Sequence, residues 1–265
     1  SVNINLGRYM GTPAGLEQPF VLPSQELCNH MVVAGMPLSG KSTTIRTILS
    51  QARVPFLVFE DFKREYRQFS VRGQALRVYT AGDESVSPLK LNPFEIPDEL
   101  DFEETFDNIT NSFIRGFNLD DDQASILNNA IRSAYIDCGW NIETGTSPAD
   151  LRLPTMRDVS ACIARTLSKS YSSLNALLFK GQTMYLGKRS QMYNKEASFN
   201  IEELVSKPTV IEYNRIPNDL VKNTLTALIL GKILKYFEQK APLGDGRPKL
   251  SYIIVIENAH KLFME

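Results

Sequence analysis

Residues 35–42 of this chain read Gly35-Met-Pro-Leu-Ser-Gly-Lys-Ser42, a complete G-x-x-x-x-G-K-[ST] pattern. The apolar run His30-Met-Val-Val-Ala34 enters it, and Ser42-Thr-Thr-Ile-Arg-Thr-Ile-Leu-Ser50 leaves it with helical spacing. A strand, a glycine-rich loop and a helix in that order form the setting in which this pattern cradles phosphate. Gly35 and Gly40 let the backbone curl so that successive N–H groups point inward. The helix beginning at Lys41 adds its positive end to the same concavity. Lys41 is expected to reach the β- and γ-phosphates and the Ser42 hydroxyl to ligate Mg²⁺, with Met36, Pro37, Leu38, Ser39 and Thr43 completing the wall. Pro37 donates no N–H, but it precedes the inward-pointing amides of Ser39 to Ser42. ATP with Mg²⁺ is the expected ligand.

Composition narrows the class. The 265 residues can bury a sizeable core, as one large domain or a domain with an insertion. With 29 basic and 30 acidic residues the chain is no simple DNA-coating protein, although a local basic channel in an oligomer remains compatible. Cys28, Cys138 and Cys162 are scattered and only His30 and His260 join them, so neither a zinc site nor a disulfide framework is expected. No apolar run approaches the ~20 residues that cross a bilayer, and no signal segment opens the chain, which reads as cytoplasmic. The start at Ser1 and the stop at Glu265 just after an apolar strand lead to the expectation of an excised domain.

Residues 1–29 read as an edge ribbon, with turn signals at Gly11-Thr-Pro and Leu22-Pro-Ser. After the run at 30–34, further strands are expected at Pro55–Glu60, Leu76–Tyr79, Pro208–Tyr213 and Leu250–Ile256. The last is nearly all apolar, as a strand covered on both faces would be. Asp219 to Lys240 places Val221, Leu225, Leu228, Ile229, Ile233 and Phe237 on one face of a long helix. Lys232, Lys235 and Lys240 fall on its polar side and read as a solvated face. Strands alternating with helices argue for an α/β sheet. Between about 99 and 195 only helical periodicity occurs: Phe102, Phe106, Ile109 and Phe113; then Ala124 to Tyr135; then a helix capped by Thr155; then Leu174 to Phe179. The expected organisation is a first core segment at 1–98, a helical insertion at 99–195 and a second core segment at 196–265.

Phosphate-loop enzymes hold Mg²⁺ with a carboxylate at the end of a neighbouring strand, and a second carboxylate usually orients the attacking water. The strand Ile254-Val-Ile256 runs into Glu257-Asn258-Ala-His260. Glu257 takes the first position and Asn258 stands in the second. An amide hydrogen-bonds a water but cannot accept its proton, so general-base help is lost there. A weak ATPase, another residue orienting the water, and an engineered trap all explain Asn258 equally.

Several landmarks together resemble the HerA/FtsK-type ATPases. His30 to Thr44 resembles the family's opening loop, Val58-Phe-Glu-Asp-Phe-Lys-Arg-Glu-Tyr66 its second strand with a K-x-E-Y-like element, Leu89-Lys-Leu-Asn-Pro-Phe94 its N-P-F turn, and Ile256-Glu-Asn-Ala-His260 its [D/E]-E-A-H signature. The resemblance implies a RecA-like P-loop NTPase: a mostly parallel sheet flanked by helices, with a helical insertion between the third and fourth strands. It implies assembly as a hexameric ring that moves or unwinds double-stranded DNA using ATP, alongside a nuclease or effector partner. By matched position Lys41, Glu257 and Asn258 are the catalytic set, Gly35 to Thr43 the nucleotide contacts, and Ser42 and Glu257 the Mg²⁺ ligands. Asn258 departs from the family's catalytic glutamate, and Pro37 and Leu38 from its small loop residues.

A nucleotide-binding module with little turnover, or a related motor acting on protein, are the alternatives. Glu60 and Lys63 fit either a contact to the γ-phosphate water or a charged surface turn. His260 fits either a nucleotide sensor or a helix-start polar residue. His30 reads as a support for strand entry, Tyr66 as a packing residue and the Phe102 stripe as core.

Overall fold

Three short runs share one plan, β-rich apolar residues closed by a glutamate: Phe56–Glu60 (β3), Thr209–Glu212 (β7) and Ile253–Ile256 followed by Glu257 (β8). With Arg77–Thr80 (β6) they form a parallel four-stranded sheet in the order β6-β7-β3-β8. The computed structural model describes residues 2–10, 13, 16, 18–83, 88–96, 102–166, 171–185, 199–240, 246 and 249–261.

Alternation along the strands divides the sheet into two faces. Val78, Val210, Val58 and Val255 lie in register on one face, and Tyr79, Ile211, Phe59 and Ile256 on the other. The valine face is covered by helix Lys41–Ala52 (α1) through Ile45 and Leu49. The ribbon of Asn3–Arg8 (β1) and Pro19–Pro23 (β2) packs Ile4 on the outer side of α1, against Ile48 and Ala52. The two are zipped together where the Asn5 amide donates to Gln51 Oε1 at 2.8 Å and Gln51 Nε2 donates back to the Asn5 carbonyl at 3.0 Å. The expected edge ribbon is thus present, although Gly11 and Thr12 of its turn signal lie outside the described residues. A second small ribbon pairs Ser70–Val71 (β4) with Gln74–Ala75 (β5).

The tyrosine face carries the helices. Between β6 and β7 come Phe102–Phe117 (α2), Asp121–Asp137 (α3), Met156–Arg165 (α4), Tyr171–Tyr185 (α5) and Ile201–Ser206 (α6). Asp219–Lys240 (α7) follows β7. Thr155 caps α4 in a reciprocal box with Asp158, as its position predicts, and Asp120 does the same for α3 with Gln123. The Phe102 stripe is buried, and one continuous apolar cluster runs from Phe59 and Ile211 through α2 and α7 into α3, α4 and α5. The insertion therefore shares the core of the sheet. Its expected limits near 99 and 195 lie outside the described residues. The N-P-F turn ties the two parts together: Asn92 Oδ1 accepts the Phe94 amide at 3.0 Å, and the buried Tyr135 hydroxyl donates to the Phe94 carbonyl.

Three expectations are corrected. His30 to Ala34 is not a strand: it has no ladder partner among the described residues, and Val32 is 89 % exposed. Apolar spacing reports which side chains seek cover, whereas a strand also needs a neighbour for its backbone groups. His30 accordingly supports no strand entry. The last strand stands at the edge of the sheet among the described residues, with Val255 partly covered on one face and Ile256 on the other and Ile254 38 % exposed, so its cover is partial rather than complete. Finally, Lys232 and Lys235 are part-buried and pair with Glu95 and Glu104, so this side of α7 is an inter-element surface.

Candidate functional site

The loop and its helix are built for an anion. Gly40 adopts φ 93° and Leu38 φ 64°, both in the left-handed region, so the loop turns sharply before α1 begins. A Cβ at Gly35 would meet Ser39 Oγ at 2.3 Å, so a side chain there would force the Ser39 hydroxyl to turn away. No side chain caps the first turn of α1 and no acidic residue lies in it, which leaves its amides and positive end available. Lys41 Nζ folds back onto the loop, donating to the Gly35 carbonyl at 2.6 Å and the Met36 carbonyl at 3.0 Å. Met36 and Leu38 are fully on the surface, and Ser42 and Thr43 sit in the first helical turn.

Element lengths bring this loop to the strand-end glutamates. A twelve-residue helix spans about 18 Å and a five-residue strand about 17 Å. Only Arg53 to Pro55 separate α1 from β3, so the two run antiparallel, and the Lys41 end of α1 comes level with Glu60. Arg46, one turn further along α1, reaches Glu65 at 3.8 Å.

The glutamates form a row on the α1 face. Thr80, Glu212 and Glu60 are register partners, and Glu257 follows the Phe59–Ile256 pair, its amide donating to the Phe59 carbonyl at 3.1 Å. Each is held differently. Glu212 is fully buried and neutralised by Arg67 (2.9 and 2.6 Å) and Arg64 (3.6 Å), with Thr80 Oγ1 donating at 3.1 Å. Glu60 is 1 % exposed and forms no ion pair with a cation among the described residues. Its Oε2 accepts the amides of Glu65 (2.8 Å) and Tyr66 (3.2 Å), so the K-x-E-Y-like segment folds around it. Its Oε1 has no partner among the described residues, nor does the buried hydroxyl of Tyr66. Burial pushes the Glu60 carboxyl up to about 7, against the two amides, and the charges of Glu257 and Glu212 push the same way. Burial also raises Glu257, opposed by the Asp61 amide (3.2 Å to Oε2) and the charge of Lys63.

Asn258 is directed elsewhere. It adopts φ 52°, which asparagine tolerates, and its Nδ2 donates to Asp61 Oδ2 at 2.7 Å. Asp61 lies on the opposite face, bound by Lys222 of α7 at 2.6 Å and Lys261 at 3.3 Å. Burial pushes Asp61 up, but the bonds from Lys222, Asn258 and Lys261 outweigh it and hold the carboxyl below its ordinary value. The sequence-predicted residues therefore split: Lys41, Ser42 and Glu257 share the α1 side, while Asn258 joins a network beneath α7.

The donor set suits Mg²⁺. This ion takes hard oxygens, typically one or two carboxylates beside phosphate oxygens and waters, rather than an all-protein cage. Glu257 has one oxygen engaged by Asp61, leaving the other, and the orphaned Glu60 Oε1 lies in the same row. Among the described residues no group of three His, Cys, Asp or Glu side chains is placed to hold a metal.

Glu212 and Arg67 are not singled out by the sequence reading, which names Glu60 with two alternative roles and Tyr66 as a packing residue. The signal is in the sequence: three apolar runs, each closed by glutamate. A parallel sheet in register must set those three side by side.

These features define a RecA-like P-loop NTPase fold. No protein-family model and no curated protein sequence matches the chain. Among solved structures it is similar to VirB4 of Thermoanaerobacter pseudethanolicus, with a TM-score of 0.55 and 16% identity over 86% of this chain and 83% of that one. The likeness is one of fold.

Proposed function

We propose that the chain is the ATP-binding core of a HerA/FtsK-like motor, a hexameric ring that couples ATP hydrolysis to translocation or unwinding of double-stranded DNA. The observation that supports this reading most is the uncapped start of α1 standing level with a row of strand-end carboxylates. Nucleotide binds with its β- and γ-phosphates in the curl from Gly35 to Thr43. Lys41 exchanges the Gly35 and Met36 carbonyls for phosphate oxygens. Ser42 and Glu257 hold Mg²⁺, which when bound neutralises charge on the phosphates. Asp61 then links Glu257, through its amide, to Lys222 of α7, through its carboxylate.

A specific observation favours a second reading. With Asn258 tied to Asp61, the position that normally orients water offers no carboxylate, which suits a nucleotide-gated module with little turnover. ATP turnover by the native-length protein, with and without duplex DNA, separates the readings. Turnover that DNA raises and Lys41→Ala abolishes supports the motor. Binding without turnover, restored by Asn258→Glu, supports the module. Turnover indifferent to DNA directs the search to a protein substrate.

A further inference from the structure

We infer that Glu60 is the catalytic base that orients and deprotonates the attacking water, in the place that Asn258 cannot fill. The inference rests on the ATPase reading above and adds a residue to it.

Four observations carry it. Glu60 shares its strand face with Phe56 and Val58, which pack on α1, so its side chain lies on the nucleotide side. It follows Phe59 on β3 as Glu257, the carboxylate assigned to Mg²⁺, follows the Phe59 register partner Ile256 on the adjacent strand. Its Oε2 is fixed by two amides, which aims the carboxyl group, while Oε1 accepts nothing from the described residues and is closed off from solvent. An orphaned carboxylate oxygen inside a protein is costly and calls for a donor that the described residues do not supply. The neighbouring Tyr66 hydroxyl, itself buried and unpartnered, feels the charges of Glu257, Arg46, Glu60 and Glu65 and so sits among the same groups. A water between these groups and a γ-phosphate gives both orphans a partner. Glu212, next in the row, cannot serve, because Arg67, Arg64 and Thr80 occupy its oxygens.

The step balances without a further reactant. The water oxygen forms a bond to the γ-phosphorus as the bond from that phosphorus to the β–γ bridging oxygen breaks, and the electron pair leaves with ADP. One water proton passes to Glu60 Oε1, giving the neutral acid, which returns it to phosphate or solvent as the products depart.

The test compares wild type, Glu60→Gln and Lys41→Ala, measuring Mg·ATP turnover and, separately, affinity for a fluorescent ATP analogue. Gln keeps an oxygen for the Glu65 and Tyr66 amides, so the segment around it stays folded. The expected result is that Glu60→Gln lowers kcat by about 100-fold or more while affinity stays within about threefold. Turnover by Glu60→Gln within about threefold of wild type overturns the inference. Loss of analogue binding in Glu60→Gln overturns it as well, by assigning Glu60 a structural role. Wild type that binds but never hydrolyses ATP overturns the inference alone. Wild type that fails to bind ATP overturns the ATPase reading on which it stands.

Discussion

Glu212 and Glu60 are neighbours with opposite electrostatic fates, and the difference is measurable. Glu212 is buried as an ion pair with Arg67. Breaking such a pair strands a charge, so Arg67→Met is expected to cost about 3–5 kcal/mol in denaturant unfolding, and Glu212→Gln beside it should recover part of that. Glu60 has no ion-pair partner among the described residues; the charges of Glu257, Glu212 and Arg67 reach it, and the Glu65 and Tyr66 amides bond it. Its carboxyl titrates near 7 when folded and near 4.5 when unfolded. Between those values the folded state holds more protons, so its contribution to stability is greatest below pH 4.5, declines as pH rises to 7, and is flat above. The decline is roughly 3 kcal/mol. Subtracting the pH–stability curve of Glu60→Gln from that of wild type should isolate this slope, and parallel curves would refute it. At this scale the sequence exposes Lys41, Ser42 and Glu257 through their motifs. It does not expose Asn258's bond to Asp61, because φ 52° at a strand end is invisible in residue type.

Elements were legible where one face alone decides them. The apolar spacing of α2, α3, α4 and α7 and the cap at Thr155 are properties of a single segment. The run at 30–34 failed because a strand depends on a second segment, and the lysines of α7 failed because their partners Glu95 and Glu104 are distant in sequence. Gly116 belongs to the same category. In the sequence it is a blemish inside a helix, since glycine costs about 1 kcal/mol there relative to alanine. In the structure it is the contact point of α2 with α7: a Cβ at 116 would overlap the backbone Cα of Thr224. Thr224 cannot rotate out of the way, because the clash is with main chain. Gly116→Ala is therefore expected to destabilise the protein by about 1–3 kcal/mol despite its better helix propensity. Thermal unfolding checks the sign; a stabilised variant would mean that the helices part at no cost.

At the scale of the whole molecule, one apolar cluster spans the sheet and the helices inserted between β6 and β7, whereas the other sheet face is covered by α1 and its ribbon. Two consequences follow for unfolding. A shared core leaves the insertion no separate hydrophobic interior, so the chain should melt in a single transition by circular dichroism and by tryptophan emission from Trp140, which stacks on Phe102. Nucleotide bound at α1 then stabilises everything coupled to it. A ligand at 100 times its Kd adds about 2.7 kcal/mol, which corresponds to a rise of roughly 5–10 °C in a domain of this size. Mg·ATP should raise the single transition in wild type and leave Lys41→Ala where it is. Glu60→Gln should follow wild type, because its expected defect lies in the chemical step. A nucleotide shift seen by circular dichroism but absent from the Trp140 signal would instead divide the molecule at the insertion, and the continuous core would have to be abandoned as the route by which the loop at 35–42 influences the helices.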